Sequence, residues 1–347
     1  CTPVQGALSD RFGRRPVILM SCLGLGVDFI LMALAKSLPW LLVARIFSGL
    51  FSASFTTANA YIADVTPLEK RAKAFGIVGA AFGVGFIIGP VLGGLLGSLD
   101  LRAPFWFAAA LALLNFLYGW FILPESLPKE RRTKRFDWSH ANPVGSLVLL
   151  RSFPHVLGLA AVIMIANMSH YVYPSVAVLF TEYRYGWSEQ QVGGMLALAG
   201  LCSGIVQGVL VGRVVPRLGE RRTLLLGLAC GAAGFAIYGF APTGLVFLMA
   251  LPVSALWGLA APATQSLITR HVPPDAQGRV QGALTSLISL VGIFGPLMFA
   301  STFGLFISDH APVHLPGAPW LLAGLWLVAG FLMALRFARA PQARPHS

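Results

Sequence analysis

Long apolar stretches dominate this chain, and short polar connections interrupt them at nearly regular intervals. Crossing the hydrocarbon core of a bilayer takes about 20 apolar residues in a helix. Ten segments reach that length: residues 16–36, 39–62, 73–98, 103–123, 154–181, 190–212, 222–241, 243–268, 279–304 and 317–336. Lipid cannot satisfy irregular backbone, so runs of this kind fold as helices. Their Gly and Pro content is compatible with that reading wherever neighbouring helices pack closely. The pattern predicts an all-α polytopic membrane protein with ten spanning helices.

The polar connections fix an orientation. Of the 25 Lys and Arg residues, only Lys36, Arg102 and Arg184 fall in connections on one side of the ten-helix arrangement, and Arg45 lies inside a helix. The others gather on the opposite side, most densely in the loop Gly6–Arg15 and in the stretch 129–135. Basic loops stay cytoplasmic, so this side is cytoplasmic and both ends of the chain lie there. Trp40, Trp187 and Trp320 stand near the outer boundaries, where interfacial anchors are expected.

Composition agrees. Hydrophobic residues make up 56% of the 347 residues and charged residues 11%, with a mean hydropathy of +0.74. A soluble domain carries about a quarter charged residues, so lipid is the expected surrounding. The net charge of +12 then follows from retention of basic loops, and no nucleic-acid partner needs to be invoked. Cys1, Cys22, Cys202 and Cys230 lack C-x-x-C spacing and read as small buried hydrophobes rather than a disulfide or metal site.

A repeat organises the chain. At an offset of 206 residues, Gly6, Arg11, Gly13, Arg15 and Leu19 fall on Gly212, Arg217, Gly219, Arg221 and Leu225. The same register carries Pro67, Glu69, Lys73 and Gly76 onto Pro273, Asp275, Arg279 and Gly282, and Gly89-Pro90 onto Gly295-Pro296. Two homologous halves in parallel orientation are expected, related about an axis along the membrane normal. The division is an N-terminal half at 1–123, a polar cytoplasmic linker at 124–153, a C-terminal six-helix half at 154–340 and a tail at 341–347. The second half has two apolar segments ahead of its loop copy, whereas the first has only Cys1 to Leu8 there. By that symmetry a parent protein of twelve helices is expected, lacking here its first helix and most of its second.

With these features together, the chain resembles the major facilitator superfamily, and within it the tetracycline and drug:proton antiporters of bacterial inner membranes. The resemblance rests on GALSDRFGRRPVIL from Gly6, ARIFSG at 44–49, ANAYIADVTP at 58–67, GVGFIIGPVLGGLLG at 83–97, ILPES at 122–126, LFTEYRYGW at 179–187, and QGRVQGALTSL with GPL at 277–297. It implies the major facilitator fold, two pseudo-symmetric six-helix halves of which ten helices are present here. It implies a monomeric secondary transporter of the bacterial inner membrane that exports a drug-like or amphiphilic compound in exchange for protons, using the proton gradient and no cofactor. Alternatives are a proton-coupled or passive carrier of a metabolite such as a sugar or siderophore, and an inactive fragment of such a transporter.

Each motif has a physical reading. In the loop, Gly6 and Gly13 permit a tight turn, and Arg11, Arg14 and Arg15 hold it in the cytoplasm. The resemblance adds a latch between halves, in which Asp10 complements the N-terminal end of a helix beginning near Gly278. Asp64, and with it Arg71, joins that network. The second loop copy has Pro216 at the position of Asp10, so its latch is expected to be weaker or absent. Gly85, Gly89, Pro90, Gly93 and Gly94 resemble the antiporter signature. The glycines allow close helix approach, and the proline removes a backbone hydrogen bond to make a kink.

Asp28 lies midway through an apolar helix, where a carboxylate faces a cavity or a partner. It reads as a protonatable or substrate-contacting group, against a buried structural pair. Arg45 cannot deprotonate and reads as a group that biases a nearby carboxylate. Asn59, Asn167, His170, Tyr171 and Gln207 line a cavity or satisfy hydrogen bonds between helices. His310 and His314 are spaced i,i+4 in a Pro-broken loop without further ligands, so no metal site is expected. No H-E-x-x-H, G-x-S-x-G or Walker-type loop occurs, and the chain is not expected to be an enzyme. Two positions depart from the tetracycline antiporters: Ser203 stands where they carry a histidine, and Gly231 where they carry an aspartate. A substrate other than tetracycline fits these departures.

Overall fold

Each of the ten apolar stretches is helical over its described residues, with ends close to those read from the hydropathy pattern. The structure is a computed structural model and describes residues 8–9, 11–51, 54–67, 71–128, 132, 154–272, 277–309, 311 and 313–338. Eight helical stretches are long and apolar enough to cross a membrane, and the shorter apolar stretches Leu38–Gly49 and Gly83–Leu99 complete the ten. The described residues contain no β-strand. The chain divides into two compact units, Cys1–Asn142 and Pro143–Ser347.

In the N-terminal unit, α1 (Arg14–Leu34) packs against α2 (Leu38–Phe51), α3 (Ser54–Val65) and α5 (Ala103–Ile122), while α4 (Arg71–Leu99) contacts α3 and α5. Helix α1 buries Leu19, Ser21, Gly24, Gly26, Asp28, Met32 and Ala33. Small residues bring α1 and α5 close together. A methyl group on Gly26 would meet Leu113 Cδ2 at 2.8 Å, and one on Gly119 would meet Leu19 Cδ2 at 3.0 Å.

The C-terminal unit contains α6 (Pro154–His170), α7 (Val172–Tyr185), α8 (Glu189–Ile205), α9 (Val211–Leu218), α10 (Glu220–Phe240), α11 (Gly244–Ala255), α12 (Ala260–His271), α13 (Gln277–Ile307) and α14 (Ala318–Phe337). Three of its spans are interrupted, which the hydropathy pattern did not reveal. The first breaks at Tyr171, where Pro174 has no N–H to donate to the His170 carbonyl and Tyr171 N–H bonds Met168 O at 3.1 Å, one residue short of a helical step. Between α8 and α9 runs a widened π turn, Val206–Leu210. Between α11 and α12, with Pro252 and Pro262 on either side, lies a tightened 3-10 turn, Leu256–Leu259.

Helix α10 is the centre of this unit and packs on α14, α11 and α12. Its glycines permit this: a methyl group on Gly227 would meet Ala260 N at 2.9 Å, and one on Gly234 would meet Ser254 Cβ at 2.6 Å. An aromatic cluster fills the end of this unit where α10 stops and α14 starts, with Phe180, Phe235, Tyr238, Phe247 and Trp320 all fully buried. Trp320 therefore belongs to the core, not to an interfacial belt; its neighbours are Tyr238 at 4.9 Å and Tyr173 at 5.2 Å between ring centroids. Trp40 does lie exposed.

The two units share one internal register. Helices α1 and α10 start and stop 206 positions apart, as do α3 and α12, and the starts of α2 and α11 and of α4 and α13 obey the same offset.

Candidate functional site

At the basic end of the N-terminal unit, the chain turns at Gly13 with φ of 108°, a left-handed conformation that glycine adopts without strain. Gly13 N–H bonds Ser9 O at 3.1 Å, and α1 begins at the next residue, Arg14, on which the polar contacts of this corner converge. Its backbone N–H donates to Glu125 Oε1 at 2.9 Å, its Nη1 to Ser9 Oγ at 2.5 Å, and its Nε to Asp64 Oδ2 at 3.2 Å. Ser126 Oγ donates to the same Asp64 oxygen at 3.3 Å. Glu125 in turn accepts from Leu127 N–H at 3.1 Å and pairs with Arg132 Nη2 at 3.4 Å. A methyl group on Gly13 would collide with the Glu125 carboxylate, so the glycine is required by contact as well as by dihedral angle.

Arg15 is spent differently. Its Nη2 donates to Trp120 O at 2.6 Å, and its guanidinium lies 6.0 Å from the Trp120 ring centroid. Arg11 is exposed and lies over its neighbour Phe12. Arg14 and Asp64 thus meet inside the N-terminal unit, through Ser126 and beside Glu125, two residues of ILPES that entered the sequence reading only as part of a resemblance. Gly6, Asp10 and His310 lie outside the described residues. Arg71 opens α4, and Asn59 falls on α3.

Asp28 sits halfway along α1 and is 2% exposed. Its Oδ1 has no hydrogen-bond partner among the described residues, and neither does the buried hydroxyl of Thr57 on the adjoining α3. Arg45 on α2 is exposed and forms no ion pair among the described residues, so the structure does not bring it to Asp28. Pro90 lies within α4, which runs on to Leu99. Among the described residues, methyl groups on Gly85, Gly89 and Gly93 would meet nothing within 4 Å, and Gly94 is buried.

In the C-terminal unit the predicted residues separate into three settings. Asn167 donates to Ile163 O at 2.9 Å, one turn back on its own helix. Tyr171 lies against α13: a methyl group on Gly295 would meet Tyr171 Cβ at 2.8 Å, and one on Gly292 would meet its hydroxyl oxygen at 2.7 Å. His170 and Gln207 share a neighbourhood around Trp257. The His170 and Trp257 ring centroids are 5.7 Å apart. Gln207 is exposed on the π turn, and its Cγ is 3.8 Å from a methyl position on Gly258 in the 3-10 turn.

Trp257 was not singled out from the sequence, yet it fills the space beside position 231, where a departure from the tetracycline antiporters is expected. A methyl group on Gly231 would lie 2.9 Å from Trp257 Cγ and 2.7 Å from Leu327 Cδ1. No acidic side chain fits while Trp257 occupies that space. Ser203, the other departure, is half-buried on α8. His314 receives or donates a hydrogen bond at 3.0 Å to the Tyr183 hydroxyl, and no three His, Cys, Asp or Glu side chains converge among the described residues.

Known proteins match this chain along nearly its whole length. The profile of the family described as Major Facilitator Superfamily matches residues 1–296. The Tetracycline resistance protein, class C, of Escherichia coli is 40% identical over 337 residues, which is 97% of this chain and 83% of that protein. The class B protein of Escherichia coli is 33% identical, over 99% of this chain and 84% of its own. Among solved structures, the human organic anion transporter MFSD10 superposes with a TM-score of 0.68 at 26% identity, covering 96% of this chain and 80% of that one.

Proposed function

The chain belongs to the major facilitator superfamily of membrane transporters, and from that premise we propose that it exports an amphiphilic, aromatic drug-like compound across a bacterial inner membrane in exchange for protons. It is a multi-pass membrane protein. The basic end of each unit faces the cytoplasm in this reading, as the positive-inside rule requires.

One observation carries the proton half of the proposal: Asp28 Oδ1, buried in mid-helix without a hydrogen-bond partner among the described residues. An ionised carboxylate in that setting lacks the compensation that burial demands. Taking up a proton removes the charge, and releasing it restores the demand for a partner. That alternation is what coupling a proton to transport requires. Arg45 and Asn59 in the N-terminal unit, and His170, Tyr171 and Gln207 in the C-terminal unit, are the further groups assigned to the pathway.

The substrate half rests on Trp257. Its half-buried ring, with His170 beside it and Gln207 on the facing turn, suits a flat aromatic molecule that also offers hydrogen-bond acceptors. The same ring excludes an acidic side chain at position 231. The tetracycline resistance proteins are similar to this chain, but the favoured substrate here is another polycyclic amphiphile.

The test is uptake into inverted vesicles containing the purified chain. An imposed pH gradient should drive accumulation of a fluorescent aromatic amphiphile, and Asp28→Asn should abolish the dependence on the gradient. Uptake indifferent to the gradient overturns proton exchange.

A further inference from the structure

Arg184 stands in the last turn of α7, level with the end of α10 that lies away from Arg221 and Arg222. It is exposed, and among the described residues it forms no hydrogen bond or ion pair. With Phe240 at the end of α10, and His314 and Gly317 ahead of α14, it lines a cleft of about 140 Å³. Two glycines shape that cleft. A methyl group on Gly239 would meet Gly317 O at 3.1 Å, and one on Gly317 would collide with the Gly239 carbonyl. The end of α10 and the chain entering α14 therefore touch backbone to backbone. His314 Nε2 lies 3.0 Å from Tyr183 Oη. When that hydroxyl donates, the imidazole Nδ1 carries the ring hydrogen and can give it to an anion.

A second hollow continues from the first. A groove of about 330 Å³ is lined by Ala236, Ile237, Phe240, Ala241 and Val246, apolar residues without exception. Phe240 forms a wall of both, so the polar cleft opens directly onto the apolar groove. Around them Phe240, Leu245 and Met249 are 67%, 68% and 69% exposed, a face that suits lipid chains and not water. Trp187 packs alongside, 2.5 Å from a methyl position on Gly244, and tryptophan gathers where chains meet headgroups. The cleft is smaller than the roughly 300–1,000 Å³ of pockets that take drug-sized molecules. Its charge, its size and the groove beside it match one kind of ligand, an anionic head on an apolar chain.

We propose that this corner of the C-terminal unit is a phospholipid site, separate from the transport pathway. The lipid phosphate sits on Arg184 and His314, and one acyl chain lies in the groove behind Phe240. A phosphatidylglycerol headgroup is favoured over phosphatidylethanolamine, whose own ammonium would come up against Arg184. The bound lipid joins α7, α10 and the chain ahead of α14. The site requires a membrane protein but neither proton exchange nor a drug-like substrate, so failure of gradient-driven uptake would leave it standing.

Native mass spectrometry of the purified, delipidated full chain in detergent, titrated with phosphatidylglycerol, tests the proposal. One lipid should bind more tightly than the rest, and phosphatidylethanolamine should bind that place more weakly. Arg184→Gln should weaken the tight binding about tenfold, the loss of a charged hydrogen-bond partner, and should erase the preference between the two lipids. Lys36→Gln, which removes an exposed charge elsewhere, should leave it unchanged. Phe240→Ala should weaken both lipids. Both altered side chains are exposed, so the fold does not depend on them. Equal losses in Arg184→Gln and Lys36→Gln would reduce the effect to overall charge and overturn the site. Displacement of the lipid by inorganic phosphate at equal concentration, or unchanged binding in Phe240→Ala, would overturn the role of the groove. Displacement by a fluorescent aromatic amphiphile would make the corner a drug site and overturn the lipid assignment.

Discussion

Trp257 Cγ stands 2.9 Å from the point where a methyl group on Gly231 would be. This contact ties a residue of the tightened turn between α11 and α12 to the central helix of the C-terminal unit, and it makes position 231 intolerant of any side chain.

Gly231→Asp is accordingly expected to lower stability by about 2 kcal/mol through overpacking, and by more if the carboxylate is left without a partner. Combining it with Trp257→Ala should recover part of that loss, since the space is then free. Thermal unfolding of the detergent-solubilised variants measures both. Additive losses would show that the two positions do not compete for one space.

Trp257→Ala alone should weaken binding of an aromatic substrate about tenfold, the loss of a stacking contact together with its buried area. Equilibrium binding of a fluorescent amphiphile checks this, and the loss should be smaller for a non-aromatic amphiphile of similar size.

Gly13 and Gly219 occupy matching turns with positive φ, and among the described residues a carboxylate lies against Gly13 but none against Gly219. Gly219→Ala should cost about 1–3 kcal/mol from backbone strain alone. Gly13→Ala should cost more, because the methyl group also displaces Glu125. Introducing Glu125→Ala first should shrink the difference between the two positions, as read from unfolding temperatures.

Ser254 lies between two buried tyrosines: Tyr238 Oη is 2.6 Å and Tyr173 Oη 3.2 Å from its hydroxyl. Ser254→Ala removes the shared partner and leaves polar groups stranded among aromatic rings, at about 1–3 kcal/mol. Tyr173→Phe on top of Ser254→Ala should restore some stability by removing one of those groups.

Much of the fold was legible because spans are written in hydropathy and halves in repetition. The register that placed Gly13 on Gly219 also aligns α1 with α10 to the residue. The breaks at Tyr171 and Leu256–Leu259 were not read, although Pro174 and Pro262 were visible, because proline in a membrane helix is often absorbed by its neighbours. Site residues were legible in kind but not in company. Asp28 could be singled out as an acid in an apolar run, while Glu125 was visible only as one letter of ILPES. Its contacts with Arg14 and Arg132 depend on how α5 packs against α1, and no local pattern encodes that. Trp257 was hidden for the same reason, being one more aromatic residue in an aromatic-rich chain until α10 was laid against it.

The offset of 206 carries the ion pair Arg14–Asp64 onto the ion pair Glu220–Arg270 with the charges exchanged, and that bears on ancestry. Two halves that share a register are what duplication of one ancestral unit leaves, so at least one of the two pairs has changed both of its residues since. An ion pair cannot reverse in a single substitution, and every stepwise route passes through a pair whose charges do not match. With its side chain 58% exposed, Arg270 stands where water would have screened that intermediate. Exchange of charge costs least where the side chains meet water, as they do at this corner.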